Sequence, residues 1–397
     1  MASSAMRTST LSFILLAAGV SAAQTADDLF DASQVHEIRL FVHPNDWTRL
    51  KQEFQENTYF PAELHWKGLV IENIAIRSRG GGSRNGVKPG LRVDFNRYEP
   101  DQEFLGLKSL VLDNMTQDPP MAREYMSMAL FRRMGLAAPR VAYARFYVNG
   151  KYVGLYAIVE AVDKRFLERT LQEDSGHLYE YQWSGVYDFG YRGDDVELYS
   201  PYPFEPKTNE KDPQAEVIVA FVRTVSQSSD EEFAAKVGEF VDWNQFLTYL
   251  AVESFVGETD GFTGDVGVNN LYVYRFKNSK KFYFIPWDKD ATFSWTEQPV
   301  DAGIETNVLT RRALATPELR AIFVAALQAC AEAADRENWF EQEARRVTGM
   351  IFGAAQEDTS KPYTPVEFDL ALETFLYFIS GRSQFVRDGA AVMSGSQ

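Results

Sequence analysis

Polar and apolar residues alternate along VHEIRLFV at positions 35–42, the period-two pattern of a half-buried strand. Asn45 is placed to cap a helix reaching to about Gln55, and strand-like runs follow at 69–76 and 91–95. The glycine-rich stretch 79–90 separates those two runs, and 108–113 reads as a further strand. Helical spacing over 121–134 stops at Gly135. RFYV (145–148) and KYVGLYAIVE (151–160) then flank Asn149-Gly150, the dipeptide that best supports a type I′ hairpin turn. Positions 184–211, rich in Tyr, Pro, Gly and charge, read as a long surface excursion. Helices are expected over 216–225, 230–240 and 242–256, a second hairpin at 271–276 and 282–286, and mostly helix from about Pro317. Strands early and helices late give an α+β chain with two lobes sharing one interface.

Hydrophobic residues at 45% and aromatics at 14% are ample for a packed core. A net charge of −16 argues against general affinity for nucleic acid, which needs a basic face. Residues 1–23 have the layout of a secretory signal peptide: Arg7, an apolar run from Leu11 to Val20, and small residues at 21–23. That run is too short to span a bilayer comfortably, and no later stretch resembles a transmembrane helix. The expectation is an exported, non-transmembrane protein. Cys330 is the sole cysteine, so no intrachain disulfide is possible and a buried, inert thiol is expected. The four histidines have no zinc-ligand spacing.

Candidate chemistry concentrates in TDGFTGDVGVNNLYVYRFKNSKKFYFIPWDKDATF (259–293). A polar loop with Asp260, Asp265, Asn269 and Asn270 runs into one strand of a hairpin, and the returning strand ends at Asp288. An antiparallel hairpin brings Asn270 and Asp288 to one end of the sheet, where hard oxygen donors suit magnesium. H-R-D and D-F-G are both absent, and a solvated turn or a calcium site at Asp288 and Asp290 reads the same segment equally well. RSRGGGSRNGVKPGLR (77–92) places Arg79, Arg84 and Lys88 about a glycine-rich turn. Such a turn admits an anion to the backbone amides, or simply ends a hairpin. Glu160 and Asp163 close the first hairpin, either to orient a phosphate-binding cation or as acids beside Lys164 and Arg165.

Taken in order, RSRGGGSR…KPGLRVDF, LVLDNMTQDPPMAREYMSMALFRRMG, YVNGKYVGLYAIVEAVDKRFL and TDGF…NNLYVYR…FYFIPWDKDATF resemble the CotH family of atypical protein kinases across most of the chain, with a single domain at 28–390. The resemblance implies a kinase-like two-lobed fold, strand-rich then helix-rich. It also implies ATP with Mg²⁺ or Mn²⁺, and protein Ser/Thr hydroxyls as acceptors. By position Asp260 resembles the catalytic Asp, while Asn270 and Asp288 resemble the metal-binding pair. Arg79, Arg84 and Lys88 become phosphate contacts, with Glu160 as their orienting partner. Five extra residues at 263–267 set Asp265 at the kinase spacing before Asn270, so Asp265 rivals Asp260. The other class open to the chain is an inactive secreted or surface binding protein built on the same fold.

Overall fold

A computed structural model describes residues 23–395, so the leader reading of residues 1–23 lies outside the described residues except for Ala23. Strands β1 (Val35–Val42), β2 (Phe60–Trp66), β3 (Leu69–Ser78), β4 (Leu91–Asp94), β5 (Ser109–Asp113), β6 (Val141–Val148) and β7 (Lys151–Glu160) close into a barrel in the order β1-β2-β3-β4-β5-β7-β6. Its pairings are antiparallel except β1 with β6, which run parallel from Val35↔Tyr143 to Leu40↔Val148. The alternation in β1 turns Ile38, Leu40 and Val42 inward, where they pack with Leu64, Trp66, Leu112, Phe146 and Tyr156. Closure leaves no open sheet edge. The strand-rich first part is therefore a closed seven-stranded barrel, a correction to the two-lobed expectation, while the α+β order of elements stands. The β6–β7 turn has Asn149 at φ 50° and Gly150 at φ 79°, the left-handed pair that a type I′ turn requires.

A second sheet holds β8 (His177–Tyr181), β9 (Phe204–Pro206), β10 (Leu271–Arg275) and β11 (Phe282–Pro286) in the order β11-β10-β8-β9. The segment 184–211 is not a surface excursion. Tyr187, Phe189, Tyr199 and Phe204 are buried, and Phe189 packs on Phe221 and Phe262 at 5.3 Å between centroids. These four aromatics are core material that polar and proline neighbours masked, while Tyr202 stays exposed.

Helix Trp243–Val256 leads into the candidate site. Asp242 caps its start by accepting from Asn244 and Gln245 backbone N–H, and Gly257 ends it at φ 65°. Its last carbonyls are held by Arg382 of helix Pro365–Met393, which is fully buried and donates to Ser254 O at 2.5 Å and Phe255 O at 2.8 Å. The same guanidinium reaches Thr296 O and Gln298 O, which fixes the following loops against the helix end. Cys330 is buried in helix Pro317–Asp335, and burial pushes its thiol well above the ordinary range.

Candidate active site

A cleft of about 890 Å³ opens between the barrel and the second sheet. Asp260, Asn270, Asp288, Arg79 and Arg84 line it, with Gly80, Gly81 and Gly82. The hairpin β10–β11 is what joins two of them. Leu271 pairs with Pro286 and Trp287 N–H donates to Asn270 O at 3.2 Å, so Asn270 and Asp288 leave the sheet at the same end. Both adopt the left-handed conformation, Asn270 at φ 52° and Asp288 at φ 51°. Asn tolerates that region and Asp less so, and strain of this kind gathers at functional sites.

Asp260 is held from three sides. Its own N–H donates to Glu258 Oε1 at 2.7 Å. Its Oδ1 accepts from Asn269 Nδ2 at 3.0 Å, and its Oδ2 accepts from Asn270 Nδ2 at 2.9 Å. Asn270 thus uses its amide nitrogen on Asp260 and keeps Oδ1 as an acceptor for a cation. Beneath the loop, Lys289 is fully buried and pairs with Glu253 Oε1 at 2.7 Å and Glu258 Oε2 at 3.6 Å. Glu253 also accepts from Phe262 N–H at 3.0 Å. One buried ammonium therefore anchors both ends of the Asp260 turn.

Negative charge is crowded here. Burial first, then Asp113, pushes the Asp288 carboxyl up to about 6, with Arg79 opposing. Burial also raises Asp290 and Glu124 well above the carboxylate range, with Asp288 and Asp113 adding to it. At Arg79 burial works against the charge, and Asp288 and Asp113 outweigh it. Its guanidinium lies 3.7 Å from Asp113 and 5.2 Å over the Trp287 ring. Among the described residues no donor hydrogen-bonds to the Asp288 carboxylate. No group of three or more His, Cys, Asp or Glu forms a metal cage among them either. A half-buried carboxylate without a donor, lining the same cleft as the Asn270 amide, is a donor set that fits magnesium or manganese completed by water and substrate phosphate better than a calcium cage.

The remaining sequence candidates are placed differently. Arg84 lines the cleft but spends its guanidinium on Gly80 O, Gln55 O and Asn57 Oδ1, at 2.8, 2.6 and 2.6 Å. It therefore shapes the glycine turn. Lys88 is fully buried away from the cleft, paired with Asp358 at 2.7 Å and donating to Leu155 O at 2.8 Å. Glu160 is buried against Arg140 at 2.8 Å and Arg169 at 2.5 Å, so it orients neither Lys88 nor a cleft arginine. Asp265 is exposed, outside the cleft lining, and its N–H donates to Thr259 O at 2.8 Å. Sequence reasoning missed Lys289, Glu253, Glu258 and Arg382. The only local signal was Lys289 between two acids, which looks like a solvated turn.

A family model described as CotH kinase protein matches residues 76–386. Inner spore coat protein H of Bacillus subtilis is 26% identical over 367 residues, spanning 89% of this chain and 97% of its own. Spore coat protein homolog 1 and invasin CotH7 of Rhizopus delemar are each 22% identical over 68% of this chain. The chain spans 44% and 45% of their lengths. A crystal structure of a Helicobacter pylori proinflammatory kinase, CtkA, aligns over 79% of this chain and 94% of its own with 11% identity and a TM-score of 0.33.

Proposed function

This chain belongs to the CotH family, and from that premise we propose that it is an exported kinase that moves the γ-phosphate of ATP to Ser or Thr hydroxyls of a protein, with Mg²⁺ or Mn²⁺. The observation that carries the reading is the convergence of Asp260, Asn270, Asp288 and Arg79 in one cleft beneath a glycine-rich turn.

Asn270 Oδ1 and the Asp288 carboxylate are the groups that would hold the metal. When bound there, a divalent ion would supply charge neutralisation at the transferring phosphates, its usual contribution to phosphoryl transfer. Arg79 adds a cation near Asp288, and the amides of Gly80 to Gly82 offer donors to phosphate oxygens. Asp260 accepts the proton of the attacking hydroxyl, its two oxygens oriented by Asn269 and Asn270. The Lys289–Glu253–Glu258 set keeps that carboxylate in place, so the site contributes mainly positioning and charge complementarity.

Export follows the leader-like residues 1–23 and agrees with relatives named as spore coat and invasin proteins. Those names also favour the second reading, a surface binding protein that keeps the fold without transferring phosphate. Incubation with γ-labelled ATP and either metal, with the protein itself and a Ser/Thr-rich polypeptide as acceptors, separates them. Label on Ser or Thr supports the kinase. No label with either metal leaves the binding protein.

A further inference from the structure

Strand β10 carries Asn270 just before its start and Arg275 at its other end, about 17 Å away at roughly 3.4 Å per residue. Arg275 pairs in register with His177 of β8 and is 5% exposed. A guanidinium buried this deeply is ordinarily matched by a carboxylate. Arg275 instead donates to Ser279 O at 2.9 Å, Gln214 Oε1 at 2.6 Å and His177 Nδ1 at 2.8 Å. Burial first, then Arg275 itself, lowers the His177 pKa, and Nδ1 accepts the guanidinium N–H as an unprotonated nitrogen. The buried Arg275 Nε has no partner.

Arg275 belongs to the lining of a depression of about 750 Å³ that also carries Lys164, Lys207, Lys211 and Lys277. Five cations there face two carboxylates, Glu210 and Asp212. Among the described residues only Lys207 of the five is ion-paired, with Glu180 at 2.7 Å and Glu205 at 2.9 Å. In a chain of net charge −16, unpaired cations gathered around one buried guanidinium are not a product of composition. The excess is larger than a single carboxylate neutralises, and it suits a multiply charged, tetrahedral anion.

We propose that this depression is a phosphate-binding site, separate from the ATP cleft, that takes a phosphate monoester or free phosphate on Arg275 with Lys211 and Lys277 at its rim. Lys207 lines both the depression and the cleft, so the two sites adjoin along the β8–β9 edge. The site does not depend on the kinase reading, because it needs neither metal nor nucleotide.

Isothermal titration of the full chain, without metal or nucleotide, tests it with three probes: inorganic phosphate, a phosphoserine peptide and the same peptide with serine. Phosphate-bearing probes should bind, and added salt should weaken them. The exposed pair Lys211→Glu/Lys277→Glu should weaken binding roughly tenfold or more at an unchanged melting temperature. Asp288→Asn should bind them as the parent does, whatever its kinase activity. A phosphopeptide tighter than free phosphate identifies a phosphoprotein ligand, and equal affinities identify phosphate itself; either upholds the site. No binding of either phosphate probe, equal binding of the serine peptide, or affinity unchanged in the charge-reversed pair would overturn it.

Discussion

Asn270 Nδ2 donates to Asp260 Oδ2 at 2.9 Å, so the residue proposed to hold metal also orients the residue proposed to receive a proton. The bond spans the loop that contains residues 263–267, the stretch that the family resemblance sets apart as extra. Within it Asp265 and Val266 are exposed, Val266 O accepts from Trp183 Nε1 at 3.1 Å, and Asp260 stays beside Asn270. Asp265, at the spacing expected of a kinase, is carried into solvent.

From this follows a sharp contrast between two aspartates. Asp260→Asn should lower phosphoryl transfer by roughly 10²–10⁴-fold, the range for losing a positioned general base. Asp265→Asn should stay within about twofold of the parent. Initial rates of label incorporation decide it, and the reverse order of effects would move the catalytic role to Asp265.

Lys289 is a positioning residue, and its removal should cost stability before chemistry is considered. Lys289→Met leaves Glu253 and Glu258 buried without their cation, a loss of about 3–5 kcal/mol. Urea unfolding measures this. A loss below about 1 kcal/mol would mean the pair is not what holds the Asp260 turn.

Asp118 gives a pH signature with a definite sign. It is 2% exposed, its Oδ2 accepts from Arg123 N–H at 2.9 Å and its Oδ1 has no partner. Burial first, opposed by Arg123, pushes its carboxyl from 3.8 up to about 6. Between those values the folded chain keeps a proton that the unfolded chain has released. Asp118 therefore removes stability as pH rises through that window and nothing further above it. Asp118→Asn should flatten the fall between pH 4 and 7 by roughly 2–3 kcal/mol, read as the difference between the two unfolding profiles. Parallel profiles would show that Asp118 does not titrate in this window.

What could be read from the sequence was local. Asn149-Gly150 fixes its own turn, and the pairing of 271–275 with 282–286 brings Asn270 to Asp288 without help from the rest of the fold. What could not be read depends on partners far along the chain. Barrel closure needs β1 beside β6. Lys88 is removed from the phosphate role by Asp358, and Gly154 leaves room for that carboxylate, since a Cβ there would sit 2.6 Å from it. Glu160 is claimed by Arg140 and Arg169, and the four carbonyls held by Arg382 lie on two segments far from it in sequence, 254–255 and 296–298. Side-chain type and spacing carry no record of such pairings. The buried aromatics of 184–211 were hidden for the same reason, because burial there is conferred by Phe221 and Phe262.

The proposed function stands or falls on a metal-dependent nucleotide site built on Asp288. The test is thermal melting of the protein with Mg²⁺ or Mn²⁺, with and without ATP, beside Asp288→Ala. A nucleotide site of this kind gives a rise in melting temperature with ATP only when metal is present, worth about 2.7 kcal/mol at a hundredfold excess over Kd, and absent in the variant. No ATP response under either metal, or the same response in Asp288→Ala, would contradict it.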